Sequence, residues 1–172
     1  MSSPGEHLSL VFLRELESLR AELRAYPDPS ALWISCEGLP NSAGTLALHL
    51  CGNLQHFVGA VLGVSGYVRD RDREFAARGL RLEEIESEIN RAAEAVRETL
   101  PRLDASALAR DYPAPFGEVT LPVITILARL LAHFGYHLGQ IDYHRRTVTR
   151  RPSAVEHPPI TTLLGPRPVG SE

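Results

Sequence analysis

Apolar residues return every three or four positions in four stretches of the chain, and each stretch predicts a helix. In the first, Glu6 to Tyr26, the residues Leu8, Phe12, Leu16, Leu19 and Leu23 form one stripe, with Arg and Glu on the other face. Pro27 and Pro29 end it. The second runs from about Ala43 to Leu62 behind Asn41–Ser42, a pair suited to an N-cap. Its apolar positions Leu46, Leu48, Leu50, Leu54, Phe57 and Val61 are too many for a helix with one whole side in water. The third spans about Leu82 to Leu100, with Ile85, Ile89, Ala92, Val96 and Leu100 inward and Glu83–Glu84 favourable in its first turn. The fourth starts near Leu121–Pro122 and carries Val123, Ile126, Leu127, Leu130, Leu131, Phe134, Leu138 and Ile141 to about Arg146.

The connections are long. Between the second and third helices lies Arg69–Asp70–Arg71–Asp72–Arg73–Glu74–Phe75, an alternating charge run that reads as a solvated connector. Residues 104–120 hold Pro113, Pro115 and Gly117 and form an excursion, with Phe116 to Leu121 pairing briefly as a strand. Trp33, the sole tryptophan, is expected to cap one end of the helices. From Arg150 onward there are five prolines in 23 residues, so the end reads as a draped or loose tail. The expectation is an all-α four-helix bundle with long connections, residues 1–149, followed by a Pro-rich tail, residues 150–172.

Composition narrows the function. At 172 residues the chain buries a core without disulfide staples, and its two cysteines, Cys36 and Cys51, form neither a CxxC nor a staple framework. A net charge of −3 and a pI near 6.2 argue against nucleic acid as a partner. All 18 basic residues are arginine. Without lysine there is no Schiff-base chemistry and no Walker-type phosphate loop. The start MSSPGEHLSL lacks the pattern of a signal peptide, and no run of 18 apolar residues is present, so the expected setting is cytoplasmic with no membrane partner.

Five of the seven histidines lie in the two most apolar helices. His133 and His137 are four apart, about 40° around a helix axis and about 6 Å along it, so both imidazoles can reach one metal ion. His49 lies mid-way along the second helix on a face with Leu46, Asn53 and His56. If that face meets His133 and His137, three nitrogens converge and leave an open coordination position. Hydrogen-bonded core histidines are the other reading of the same pattern. Asn53 and Gln140 share the inward faces, where they would hold a ligand's second ring nitrogen, grip a substrate, or pack as polar core. His56, about 10 Å along the axis from His49, is expected in a pocket or an interface. His144, beside Arg145–Arg146, is expected at the rim, and His7 and His157 at the surface. Arg129, Arg145 and Arg146 read as surface charges, or as holders of an acidic thiol if they reach the site's mouth.

Three segments carry a resemblance. His49–Leu50–Cys51–Gly52–Asn53–Leu54 resembles the HLxGNL signature of a DinB/YfiT-like branch of the DinB superfamily. The 69–75 run is similar to that branch's RDREF element, and His133–Phe–Gly–Tyr136–His137–Leu–Gly–Gln140–Ile141 to its HxxYHxGQI element. The likeness covers about residues 6 to 147. It implies a DinB-like four-helix bundle, a homodimer, and a divalent metal held by His49, His133 and His137. Zinc or nickel is the ion most in keeping with it, manganese or iron less so. His56 stands where the branch more often has a bulky or basic residue.

The resemblance also implies thiol S-transferases or metal-dependent hydrolases acting on a small-molecule substrate. A three-histidine zinc site activates either water or a low-molecular-weight thiol, and no residue beyond that water or thiolate is assignable as catalytic. Hydrolysis calls for a carboxylate base beside the site, whereas the inward faces offer Asn53 and Gln140, and Asp142 points away. A thiol needs no such base, so transfer to an electrophile is the favoured reading, with hydrolysis and a non-catalytic metal-binding or stress-linked dimeric module as alternatives.

Overall fold

The computed structural model describes residues 3–115 and 117–159. Four long helices make the body, in chain order α1 (Pro4–Arg24), α2 (Ala43–Leu54, continuing as a π-helix over Gln55–Leu62), α4 (Leu82–Thr99) and α6 (Val123–Thr149). Two short helices, α3 (Arg71–Ala76) and α5 (Ala105–Ala109), lie in the long connections. The described residues form no sheet, only isolated bridges. No helix among them is long and apolar enough to cross a membrane.

Local chemistry sets the helix starts. Ser3 caps α1 in a capping box with Glu6, and Ser42 accepts from the Thr45 amide at the head of α2. The stripes read from the sequence then meet at one core. Phe12, Leu16, Leu19 and Leu23 from α1 face Ile85, Ile89 and Val96 from α4, all between 0 and 1% exposed. Each such side chain contributes roughly 1.5–3 kcal/mol by leaving water. Every residue of α2 from Ala43 to Leu54 is buried, which makes it the central helix and accounts for its excess of apolar positions.

That centrality needs small residues where neighbours approach. At Gly44 an added Cβ would lie 2.7 Å from the Trp33 ring, whose Nε1 donates to the Leu80 carbonyl at 3.0 Å. Trp33 thereby closes the head of α2. At Gly63 a Cβ would meet Thr99 Oγ1 at 2.2 Å.

The connections depart from the expectations. The 69–75 run is a solvated connector only in part: Asp70 to Arg73 are exposed, but Arg71–Ala76 is helical and Glu74 is buried. Between residues 104 and 122 the expected strand contracts to one bridge between Asp111 and Pro122, with the Tyr112 amide donating to the Leu121 carbonyl at 2.8 Å. Two prolines nearby leave too few donors for a longer ladder; Phe116 lies outside the described residues. Tyr112 Oη donates to the Phe57 carbonyl at 2.7 Å and ties this excursion to the π-helix.

Beyond α6 the chain drapes over α1 and α6. Arg14 Nε donates to the Pro158 carbonyl at 3.0 Å and Arg146 Nη1 to that of Pro152 at 2.7 Å. Residues 160–172 of the expected tail lie outside the described residues.

Candidate metal centre

α2 and α6 cross where each carries histidine. His49 Nε2 lies 3.3 Å from His133 Nε2, which lies 3.1 Å from His137 Nε2. All three nitrogens fall within 4.8 Å of one another. Ligands of one tetrahedral ion at metal–nitrogen distances of 2.0–2.1 Å sit about 3.3 Å apart, so the spacing suits a single ion. His49 is buried; His133 and His137 are half-buried. The group can therefore hold a metal ion and still be approached.

The donor set agrees. His137 Nδ1 donates to Gln140 Oε1 at 2.6 Å, and His49 Nδ1 lies 3.0 Å from Glu74 Oε2, an acceptor. A neutral imidazole has one N–H. With that hydrogen spent on the outer nitrogen, Nε2 of both rings presents a lone pair inward. Burial first, then the neighbouring His137 and His49, pushes the His133 pKa down to about 4, and burial lowers that of His137 despite its bond to Gln140. Such rings stay neutral near pH 7, as metal ligands must be.

The family comparison is decisive for the chain as a whole. The model of the DinB superfamily matches residues 12–141. The chain belongs to the DinB superfamily. A comparison with curated proteins returns no match. The helical bundle of this DinB-superfamily protein brings the three histidines to the same point from α2 and α6.

Other residues singled out in the sequence take varied places. Gln140 and Asn53 both reach the cluster: Asn53 Nδ2 donates to His49 Nε2 at 3.1 Å. His56 sits on the π-helix against the Phe57 ring, its Nδ1 buried and without a hydrogen-bond partner among the described residues, and burial lowers its pKa. His144 is not at the rim. It is 1% exposed, donating from Nε2 to the Ile34 carbonyl and accepting at Nδ1 from Tyr26 Oη, both at 2.8 Å. Arg145 is not a surface charge either: it is 2% exposed and donates to Glu22 at 2.7 Å and Asp142 at 2.6 Å. His157 is half-buried against Glu22. The end of α6 that looks polar in sequence is covered, His144 by Tyr26 and Ile34 and Arg145 by the Ser153 carbonyl beyond the helix.

Two participants escaped the sequence reading, Glu74 and Arg69. Arg69 donates to Glu74 through Nε (2.7 Å to Oε1) and Nη2 (2.7 Å to Oε2). Burial opposes ionisation of Glu74, but the bonds from Arg69 and His49 outweigh it and lower its pKa. Phe75 lays its ring 4.8 Å from that of His49. The available signals were a buried-type Phe at the end of a charge run and the similarity of that run to the RDREF element. Glu74 faces the outer nitrogen of His49, and among the described residues no carboxylate oxygen joins the three Nε2 atoms.

Proposed function

We propose that this DinB-superfamily protein binds a divalent metal through Nε2 of His49, His133 and His137 and catalyses transfer of a small thiol to an electrophilic small molecule. The observation that carries the reading is the convergence of three inward-facing imidazole nitrogens, with His133 Nε2 3.3 Å from that of His49 and 3.1 Å from that of His137. The ion, when bound, supplies Lewis acidity that makes a thiol a better nucleophile near neutral pH. Zinc or nickel is the ion such nitrogen donors suit.

The chain's own residues have the complementary tasks. Gln140 fixes the ring of His137 and Glu74 that of His49, so neither turns away from the site. Asn53 places an amide beside His49 Nε2, within reach of whatever fills the open side. The half-exposed rings of His133 and His137 leave a path for substrate. Transfer is favoured over hydrolysis because Asn53, not a carboxylate, is the polar group on the inner side.

We further place the protein as a cytoplasmic homodimer. The free thiols Cys36 and Cys51 suit a reducing compartment. Ile124, Tyr136 and Tyr143 expose apolar surface along α6 that a second copy would cover.

The test is direct. Untagged protein should carry close to one zinc or nickel per chain by elemental analysis, and the loaded form should turn over thiol–electrophile pairs. A thiol panel that gives no rate above His133→Ala defeats the transferase reading. Rates on esters or amides instead would establish the hydrolase, and bound metal without any turnover the non-catalytic module.

A further inference from the structure

Glu74 holds His49 but does not stand alone: the fold carries both Arg69 and Glu74 of the charged run 69–75 out of solvent. The Arg69 and Glu74 side chains are 13% and 7% exposed, joined by two parallel hydrogen bonds. A buried ion pair of this kind is weak evidence for stability, because desolvation consumes most of the attraction. What it does offer is a fixed pattern of donors and acceptors. Position 52 shows that the pattern is accommodated deliberately. A Cβ there would lie 2.0 Å from Glu74 Oε1 and 2.7 Å from Glu74 Cδ, and its three nearest neighbours would all be atoms of Glu74. A glycine in the middle of a fully buried helix sacrifices helix propensity, and here the return is a notch for one carboxylate.

His49 Nδ1 has two polar neighbours across this notch. Glu74 Oε2 at 3.0 Å can only accept; Arg69 Nη2 at 3.2 Å can only donate. The two neighbours favour opposite tautomers. A hydrogen on Nδ1 pairs with Glu74 and leaves Nε2 bare, facing His133. A lone pair on Nδ1 would take the Arg69 donor and put the hydrogen on Nε2, where it would block coordination. Arg69 Nη2 spends one of its two N–H groups on Glu74 Oε2, at 2.7 Å, and the closer neighbour of Nδ1 is the carboxylate oxygen, at 3.0 Å against 3.2 Å. The guanidinium also balances the carboxylate's charge, so His49 meets a hydrogen-bond acceptor in a neutral pair.

We propose that Arg69 and Glu74, seated by Gly52, are positioning residues that lock His49 in its Nδ1–H tautomer and so keep Nε2 free for a cation. This rests on the metal-binding reading for its purpose, but the tautomer itself is a property of the metal-free chain. The Asn53 amide donating to Nε2 fits the same tautomer.

Glu74→Gln makes the sharpest test. One oxygen remains, the charged Arg69 fork takes it, and the amide NH₂ turns toward His49 Nδ1 as a donor. Imidazole ¹⁵N NMR of the full metal-free chain should show His49 as Nδ1–H in wild type and as Nε2–H in Glu74→Gln. Zinc affinity by chelator competition should fall about 10- to 100-fold. Gly52→Ala, which touches no ligand, should weaken zinc in the same direction. Arg69→Met with Glu74→Leu keeps the volume without either charge; it should retain the wild-type melting behaviour while His49 loses its single tautomer. Wild-type His49 found as Nε2–H, or unchanged by Glu74→Gln, overturns the proposal. If wild type binds no zinc while the tautomer still switches, the metal reading fails and the positioning role stands.

Discussion

Arg145 and Glu22 form an ion pair 2.7 Å long whose side chains are 3% and 1% exposed, joining the last helix to the first across 123 residues of sequence. Removing one partner leaves a buried charge short of its counterion, which costs about 3–5 kcal/mol. Arg145→Met should therefore lower the melting temperature by roughly 10 °C for a chain of this size. The double change Glu22→Leu with Arg145→Met should recover most of that loss in thermal melts, because neither charge is then stranded. A double variant no more stable than the single one would show that packing, not charge, is at stake.

A pH dependence follows from His144. Burial depresses its folded pKa despite the bond to the Ile34 carbonyl, whereas the unfolded chain keeps a value of about 6.5. Above that value both states are neutral and stability is complete. As pH falls below it, the unfolded state takes up a proton first, and stability declines until the folded pKa is passed. His133 and His137 act in the same sense. Comparison with His144→Gln, whose amide can still donate to Ile34 and accept from Tyr26, isolates this residue. Urea melts between pH 7.5 and 5 should show a shallower decline for the variant.

Metal should stabilise the fold by mass action. Zinc at about 100 times its dissociation constant adds about 2.7 kcal/mol, which at 2–4 °C per kcal/mol raises the melting temperature by roughly 5–10 °C. Chelator should reverse the shift, and His133→Ala should show none. An equal shift in that variant would place the ion elsewhere.

Gln140 offers a milder perturbation. Its side chain accepts from His137 at 2.6 Å, and Gln140→Ala frees that ring to rotate. Zinc affinity should fall by about tenfold, with little change in metal-free stability, since the position is only half-buried. Chelator competition and thermal melts on the same samples separate the two effects.

The two thiols should differ in reactivity. Cys51 is fully buried in α2, and burial holds its thiol far above the usual range, while Cys36 sits partly exposed in a loop. A disulfide reagent should titrate one thiol quickly in native protein and the second only on unfolding.

The four long helices, the Ser42 cap and the His133–His137 pair were legible along the chain, because each depends on neighbours within a few residues and on a periodic apolar face. That His49 meets the pair was open until α2 and α6 were seen to cross. Glu74 and His144 were misjudged because local sequence reports polarity and cannot report cover. A run such as Arg69–Phe75 reads as solvated until the pair Arg69 and Glu74 is seen to meet the notch at Gly52. The conversion of α2 to a π-helix at Gln55 was equally hidden, since the same residues serve either hydrogen-bond register. Sequence alone thus determined the helices and the donor atoms available, and the tertiary structure decided which charges are buried and which nitrogen of His49 faces inward. The reason is physical: helix periodicity arises from contacts three or four residues apart, whereas desolvation and ion pairing depend on groups that only the folded chain brings into contact.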